Sequence, residues 1–97
     1  MPTLRIEHQI SDFDTWKAAF DRDPVGRQQS GVRRYRVLRP VGDPSYVMID
    51  LDFDSTDEAE ACLAALQRDV WGSERAAPAL LGRPQARIVE VVESQEC

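Results

Sequence analysis

The chain has 97 residues, of which 42% are hydrophobic and 30% are charged, a composition typical of one globular domain with a thin core. Its 17 acidic residues outnumber its 12 basic ones, which argues against a nucleic-acid partner because nucleic-acid binding needs a basic surface. No apolar run is long enough to span a bilayer and the N-terminus lacks a signal-peptide pattern, so we expect a cytoplasmic protein with no membrane partner.

A strand and an amphipathic helix open the predicted fold. Residues 3–8 alternate in polarity, as the strands of a half-buried sheet do. Ser11 or Asp12 then provides an N-cap for a helix, which ends at the residue before Pro24 because that position disfavours helical geometry. The side chains that we assign to the interior from these two elements are Leu4, Ile6, His8, Phe13, Trp16 and Phe20.

The middle of the chain predicts two further strands. They span residues 32–39 and 46–53 and are separated by a turn rich in proline and glycine. In the second of them Asp50 and Asp52 lie on the face opposite the apolar side chains, and we expect both carboxylates to pair with arginines of neighbouring strands. The side chains assigned to the interior here are Tyr35, Val37, Val47, Ile49, Leu51 and Phe53.

The last third of the chain predicts a helix and a final strand. Ser55 and Glu58 form a capping box, in which each side chain satisfies a free backbone amide of the other residue. Residues 73–81 are predicted as a short accessory helix and residues 86–92 as the last strand. The tail, residues 93–97, is expected to be frayed.

This order of elements predicts one ferredoxin-like α+β domain over residues 1–97. A β-α-β-β-α-β order with right-handed crossovers gives a four-stranded antiparallel sheet with the two main helices on one face. The opposite face is left uncovered and carries charges of both signs with a few apolar groups. Such a face is either solvated or covered by a second copy of the chain. We favour the second alternative, a homodimer formed through the open sheet face.

Well-marked metal and cofactor sites are missing from the sequence. It contains a single histidine and no CxxC, HExxH, P-loop or GxGxxG pattern. Two cysteines, Cys62 and Cys97, do not form a disulfide framework. We therefore expect neither a metal nor a cofactor.

The chain resembles the dimeric α/β-barrel superfamily, which includes antibiotic-biosynthesis-monooxygenase-like proteins and many small uncharacterised bacterial proteins. The resemblance depends on the run from His8 to Asp21, on the strand from Tyr46 to Phe53 that leads into the second helix, and on Trp71 at the end of that helix. It implies a dimeric α/β barrel. Members of the superfamily include cofactor-independent oxygenases, haem-degrading enzymes, isomerases and dehydratases, so several activities stay open.

The resemblance also indicates where a ligand would bind. Quinone-forming oxygenases of the superfamily bind aromatic polyketides between the helices and the sheet, and the matching positions here are Trp16, Phe20, Tyr35 and Trp71, beside His8. Haem-degrading members use an asparagine with a histidine and a tryptophan. This chain contains no asparagine, so haem binding is not carried over to it.

His8 is the candidate catalytic residue, because imidazole titrates near neutral pH and serves as a general base. The simpler alternative is that it only hydrogen-bonds the adjacent loop or a helix end, since the sequence identifies no partner for it. Two functions remain open. One is a cofactor-independent monooxygenase-like enzyme acting on a small aromatic or polyketide-like molecule, and the other is a non-catalytic module that binds a small hydrophobic ligand or a protein.

Overall fold

Four antiparallel strands form the sheet of this protein, and the helices pack against one face of it. The computed structural model describes all residues from 1 to 97. The strands pair in the order β2-β3-β1-β4, which confirms the predicted ferredoxin-like arrangement. None of the helices has the length and apolar character needed to cross a membrane. The elements, in chain order, are β1 Thr3–Ile10, α1 Phe13–Asp21, β2 Arg34–Leu38, β3 Tyr46–Asp52, α2 Thr56–Ala65, a π-helical turn Leu66–Val70, and β4 Leu80–Val89.

The core lies between the helices and the two central strands. Alternation along β1 and β3 directs their apolar side chains toward the helices, and the four largest fully buried side chains are Leu4, Ile10, Val47 and Phe53. The predicted interior face of these strands is confirmed. Tyr35 shares that face but is 45% exposed, because β2 is an edge strand that the helices cover incompletely.

Both helices begin at side-chain caps. The Asp12 carboxylate accepts the backbone N–H of Thr15 at 2.8 Å, so Asp12 is the N-cap of α1. At the start of α2 the Ser55 hydroxyl oxygen accepts the backbone N–H of Glu58 at 3.2 Å. The predicted capping box forms only by half, because the Glu58 carboxylate accepts the Ser55 hydroxyl at 3.1 Å instead of the Ser55 backbone N–H.

The region after α2 differs from the sequence prediction. The accessory helix predicted over residues 73–81 is not formed, and the segment is a series of turns. One helical hydrogen bond joins the Ala77 N–H to the Ser73 carbonyl, but Pro78 follows and cannot continue the pattern because it has no N–H. β4 begins at Leu80 instead of residue 86, since Leu80 and Leu81 pair with the end of β1.

Charged side chains pair across the open face of the sheet. Asp50 is only 4% exposed although it lies on this face, and the Arg5 guanidinium donates two hydrogen bonds to it, both 2.9 Å long. Arg36 donates a third at 3.2 Å, and Arg34 donates to Asp52 at 3.1 Å. The predicted pairing of both carboxylates with strand arginines is confirmed. The hydrogen bonds from Arg5 hold the pKa of Asp50 below its usual range, against the opposing effect of burial.

Candidate functional site

A small apolar cavity lies between the helices and the sheet. Its volume is about 90 Å³, which is room for several water molecules, since one needs roughly 10–15 Å³. Of the 17 residues that line it, 14 are hydrophobic. The remaining three are His8, Pro24 and Arg27, so only two strongly polar side chains reach the cavity. A cavity of this composition is suited to an apolar ligand with one or two polar groups.

A row of aromatic rings forms one side of the cavity. Trp16 stands at its centre, with its ring 6.2 Å from the imidazole of His8 and 5.1 Å from the nearly parallel ring of Phe20. Tyr35 meets the outer edge of Phe20 at 5.3 Å but does not line the cavity. Trp71 lines it from the end of the second helix.

The geometry therefore brings four of the five predicted site residues to one cavity, and places the fifth, Tyr35, next to it. Helical spacing explains the row: Trp16 and Phe20 are four residues apart on α1 and lie on the same face. The spacing of Trp16 and Phe20 predicts that these rings pack in the core, and the resemblance to known proteins indicates that they also contact a ligand. They do pack against the core, and they also leave space beside them.

His8 lines the cavity and has one ring nitrogen without a partner in the protein. The imidazole is 5% exposed, and its Nδ1 lies 3.0 Å from the backbone carbonyl oxygen of Gln9. A carbonyl only accepts, so Nδ1 carries the proton and Nε2 carries a lone pair. Nε2 has no hydrogen-bond partner within the protein. Every side-chain nitrogen or oxygen that is sealed from solvent in this structure does have such a partner. Nε2 is therefore not sealed from solvent, and His8 is one of the residues that line the cavity.

Burial determines the protonation state of this histidine. Removal of the ring from water lowers the pKa of His8 below its usual 6.5, and the hydrogen bond to the Gln9 carbonyl opposes this only in part. The imidazole is consequently neutral at neutral pH. A neutral imidazole with Nε2 free can accept a proton or a hydrogen bond from a ligand.

The sheet is irregular at the position of His8. Glu7 pairs with Gln85 and Gln9 pairs with Leu81, so one residue of β1 stands opposite three residues of β4, which are Gly82, Arg83 and Pro84. Gly82 adopts a positive φ of 70°, and Pro84 has no N–H to donate. Such bulges occur frequently beside functional sites, where they redirect a side chain. The sequence pattern at Gly82 to Pro84 had indicated the end of a helix, not a bulge in an edge strand.

Arg27 is a cavity residue that the sequence did not reveal. It lies in the segment after α1 that has the composition of a polar loop, and its guanidinium carbon stands 4.0 Å from the ring centre of Phe20 and 4.8 Å from that of Tyr35. Its Nη1 donates to the Phe20 carbonyl at 2.8 Å. Asp23 holds the backbone in place: it adopts a φ of 56° and its carboxylate accepts the Arg27 N–H at 2.8 Å.

The second helix contributes a thiol and a π turn to the cavity wall. Cys62 is buried, and burial raises the pKa of its thiol, so it remains protonated and unreactive at neutral pH. The π turn ends with the Trp71 N–H donating to the Leu66 carbonyl at 2.8 Å. Leu66, Val70 and Trp71 all line the cavity, and π turns of this kind are common at functional sites.

No protein-family model matches this sequence, and no curated protein matches it. Solved structures match it over nearly its whole length. SnoaB, a cofactor-independent oxygenase from Streptomyces nogalater, has a TM-score of 0.72 at 15% identity, covering 96% of this chain and 94% of its own. A dimeric ferredoxin-like protein from an uncultured marine organism has a TM-score of 0.63 at 14% identity, covering 97% of each chain.

An antibiotic biosynthesis monooxygenase also matches, with a TM-score of 0.66 at 10% identity. The match covers 96% of this chain and 100% of the other. At such identities the likeness shows a shared fold. The ferredoxin-like fold that the sequence predicted is thus confirmed.

Proposed function

We propose that this chain, which has the ferredoxin-like fold found in cofactor-independent and antibiotic biosynthesis monooxygenases, is itself a cofactor-independent monooxygenase-like enzyme. It acts on a small aromatic or polyketide-like molecule bound in the cavity beside His8. The observation that supports this function most directly is the neutral imidazole with a free Nε2 at an apolar cavity. That arrangement provides a general base in a site whose lining is mostly apolar.

The proposed reaction begins with a proton transfer to Nε2 of His8. The proton comes from an acidic C–H or phenolic O–H group that is conjugated with the aromatic system of the ligand. The resulting anion is electron-rich and reacts with dissolved O2, which is the only co-reactant. For a ring CH2 group the balance is CH2 plus O2 giving C=O plus water, so no external reductant is needed.

The aromatic row serves binding in this proposal. A planar ligand packs against the edges of the Trp16 and Phe20 rings, which stack on each other, and edge-to-face contacts of this kind contribute about 0.5–1.5 kcal/mol each beyond apolar burial. Trp71 closes the cavity from the second helix. The ligand would then hold its acidic group near His8 at the inner end of the row.

We also propose that the protein is a homodimer through the open sheet face. Several charged groups of this face already have partners within the chain: Asp50 is paired with Arg5 and Arg36, and Tyr46 donates a hydrogen bond to Glu7 at 2.7 Å. A thin core leaves such a domain in need of further burial. Similar folds whose structures are described as dimeric ferredoxin-like proteins support the same assembly.

Oxygen consumption tests the catalytic proposal. Wild-type protein is incubated with hydroxylated aromatic compounds and anthrones of one, two and three rings, and O2 uptake is followed with an electrode while absorbance reports quinone formation. We expect turnover with at least one ring size, and a loss of roughly 100-fold or more in His8→Ala, the magnitude usual for removal of a general base. Gln9→Ala is the matched control, because Gln9 is the exposed neighbour on the opposite face of β1.

Circular dichroism and thermal melting confirm that both variants are folded. Turnover that persists in folded His8→Ala would contradict the role of His8. Absence of O2 uptake with every compound that binds would contradict the enzymatic function as a whole.

A non-catalytic binding module is the second candidate, and one observation favours it. Nδ1 of His8 donates to a backbone carbonyl and not to a carboxylate, so no negative charge stabilises the imidazolium that proton abstraction would form. The lowered pKa of His8 also makes it a weaker base. If this second function is correct, a ligand raises the melting temperature and is recovered chemically unchanged, with no uptake of O2.

A further inference from the structure

Arg27 is the only residue with a permanent charge among those that line the cavity. Its side chain is 18% exposed and is held in place by the faces of Phe20 and Tyr35 and by the Phe20 carbonyl. A guanidinium that is fixed in this way loses little conformational entropy when it binds a further group. It is therefore a preorganised donor at the edge of an otherwise apolar site.

The charge of Arg27 is incompletely compensated by the protein. Arginines of the sheet and of the second helix donate hydrogen bonds directly to carboxylates, as Arg5 does to Asp50 and Arg68 does to Asp69. Arg27 has no such bond. Its Nη1 lies 3.6 Å from the nearest oxygen of Asp23, too far for a hydrogen bond, and that same oxygen already accepts the backbone N–H of Arg27.

Two sides of the guanidinium remain without an acceptor. Nη1 donates to the Phe20 carbonyl, while Nε and Nη2 have no partner within the protein. Because no unpaired side-chain nitrogen of a buried or half-buried residue is sealed from solvent, both nitrogens are open to an incoming anion. The Nε–Nη2 edge matches the two oxygens of a carboxylate, and such charge-assisted bonds are among the strongest in proteins.

We infer that Arg27 makes the cavity selective for ligands that carry an oxyanion on a planar aromatic ring, such as an aromatic carboxylate or a phenolate. The ring packs against the edges of Trp16 and Phe20, and its anionic substituent pairs with Arg27, at the other end of the aromatic row from His8. This inference rests on the proposed binding of an aromatic ligand in the cavity. It adds the chemical class of that ligand and assigns Arg27 as the residue that determines specificity.

Calorimetric titration with two isosteric probes tests the inference. Wild-type protein is titrated near neutral pH with 1-naphthoate and with 1-naphthamide, which differ in charge but hardly in shape. We expect the carboxylate to bind about tenfold more tightly than the amide, as a charge-assisted pair replaces a neutral one. In Arg27→Gln this ratio falls to about one, because the amide probe never gained from the charge.

Arg39→Gln is the matched control. Arg39 also lies over an aromatic ring, with its guanidinium carbon 4.3 Å from the centre of Phe13, but it does not line the cavity. The ratio of affinities is expected to remain as in the wild type. If Arg27→Gln does not fold, Arg27→Lys and the salt dependence of the wild type replace it: the lysine variant retains part of the preference, and added NaCl weakens naphthoate binding but not naphthamide binding.

Three results would overturn the inference: a wild type that binds naphthoate no more tightly than naphthamide, a wild type that does not bind naphthoate at all, and a preference that survives in Arg27→Gln. The outcome is independent of turnover. An Arg27-dependent preference without O2 uptake removes the enzymatic proposal and leaves the inference standing. Turnover without that preference removes the inference about Arg27 and leaves the enzymatic proposal standing.

Discussion

Single residues on the cavity wall owe their chemistry to their immediate surroundings. His8 lies where an alternating strand turns a polar ring inward, and the carbonyl of its own neighbour selects the tautomer that leaves Nε2 free. Cys62 shares the same wall, yet burial makes its thiol inert. Burial thus favours the uncharged form of both groups. The uncharged imidazole can accept a proton, whereas the uncharged thiol is a poor nucleophile.

Stability should depend on pH through His8. Because the pKa of His8 in the folded protein is lowered below the usual 6.5, the unfolded chain binds more protons than the folded one between those two values. The free energy of unfolding therefore falls as the pH drops through 6.5 and levels off below the folded-state pKa. Urea denaturation from about pH 7.5 to about pH 5.5 should show this slope in the wild type and a smaller slope in His8→Gln.

The ion pairs of Asp50 do not contribute to the slope in this pH range. The pKa of Asp50 is lowered, so the stability that its ion pairs contribute is lost only when the pH falls below its usual value of 3.8. Equal slopes in the wild type and in His8→Gln would show that the histidine is not held in its neutral form by the fold.

At the scale of helices and strands, three departures from regular geometry lie around the cavity. α2 ends in a π turn that brings Trp71 to it, and β4 has a bulge opposite His8. Asp23, in the left-handed region, positions Arg27. Regular elements build the core, and each of these three irregular features brings a side chain to the candidate site or lies directly opposite one.

The bulge in β4 makes a specific prediction about glycine. Gly82 has a φ of 70° and no atom within 4 Å of the place a Cβ would take, so Gly82→Ala costs backbone strain alone, about 1 kcal/mol of unfolding free energy. Gly72 also has no atom within 4 Å, but its φ lies outside the left-handed region. Gly72→Ala should therefore be neutral or slightly stabilising, by up to about 1 kcal/mol.

Urea denaturation of the two variants separates these effects, and O2 uptake reports whether the bulge also matters for His8. Equal destabilisation of both variants would mean that Gly82 does not need its left-handed conformation. A destabilised Gly82→Ala that retains full turnover would mean that the bulge serves the sheet and not the site.

At the scale of the whole molecule, the open sheet face is the largest feature that one chain leaves unexplained. Its charges pair within the chain, and Met48 and Leu38 add apolar surface among them. The helix-covered face holds the cavity, so the proposed dimer interface and the site lie on opposite sides of the sheet. Dimerisation would then stabilise the sheet without closing the cavity.

Light scattering should give twice the chain mass of 11.0 kDa at micromolar concentration. Met48→Glu, which adds a charge to the centre of the open face, should shift the protein toward monomer because a buried unpaired carboxylate is costly. Val41→Glu is the control, since Val41 is fully exposed in the turn between β2 and β3. A wild type with the mass of one chain would contradict the dimer, and an equal effect of both variants would place the interface elsewhere.

Much of this architecture could be predicted from the sequence, because the patterns involved are local. Alternation in residues 3–8 and 46–53, the caps at Asp12 and Ser55, and the spacing of Trp16 and Phe20 each depend on neighbours within a few positions. Local signals failed where two distant segments compete. Residues 80–85 have no strong strand pattern and become a strand because β1 offers them a partner, while Pro78 prevents the helix predicted before them.

The sequence by itself determined the ferredoxin-like fold, the interior side of each central strand, and His8 as the residue to examine. Only the tertiary structure decided that a cavity remains beside His8, which ring nitrogen of His8 is left without a partner, and that Arg27 lines the cavity with its charge partly free. The physical reason is the distance along the chain over which each signal acts. Helix and strand periodicity act over a few residues, whereas a cavity is the space left after α1, the sheet and the end of α2 have packed together, and no single segment encodes that space.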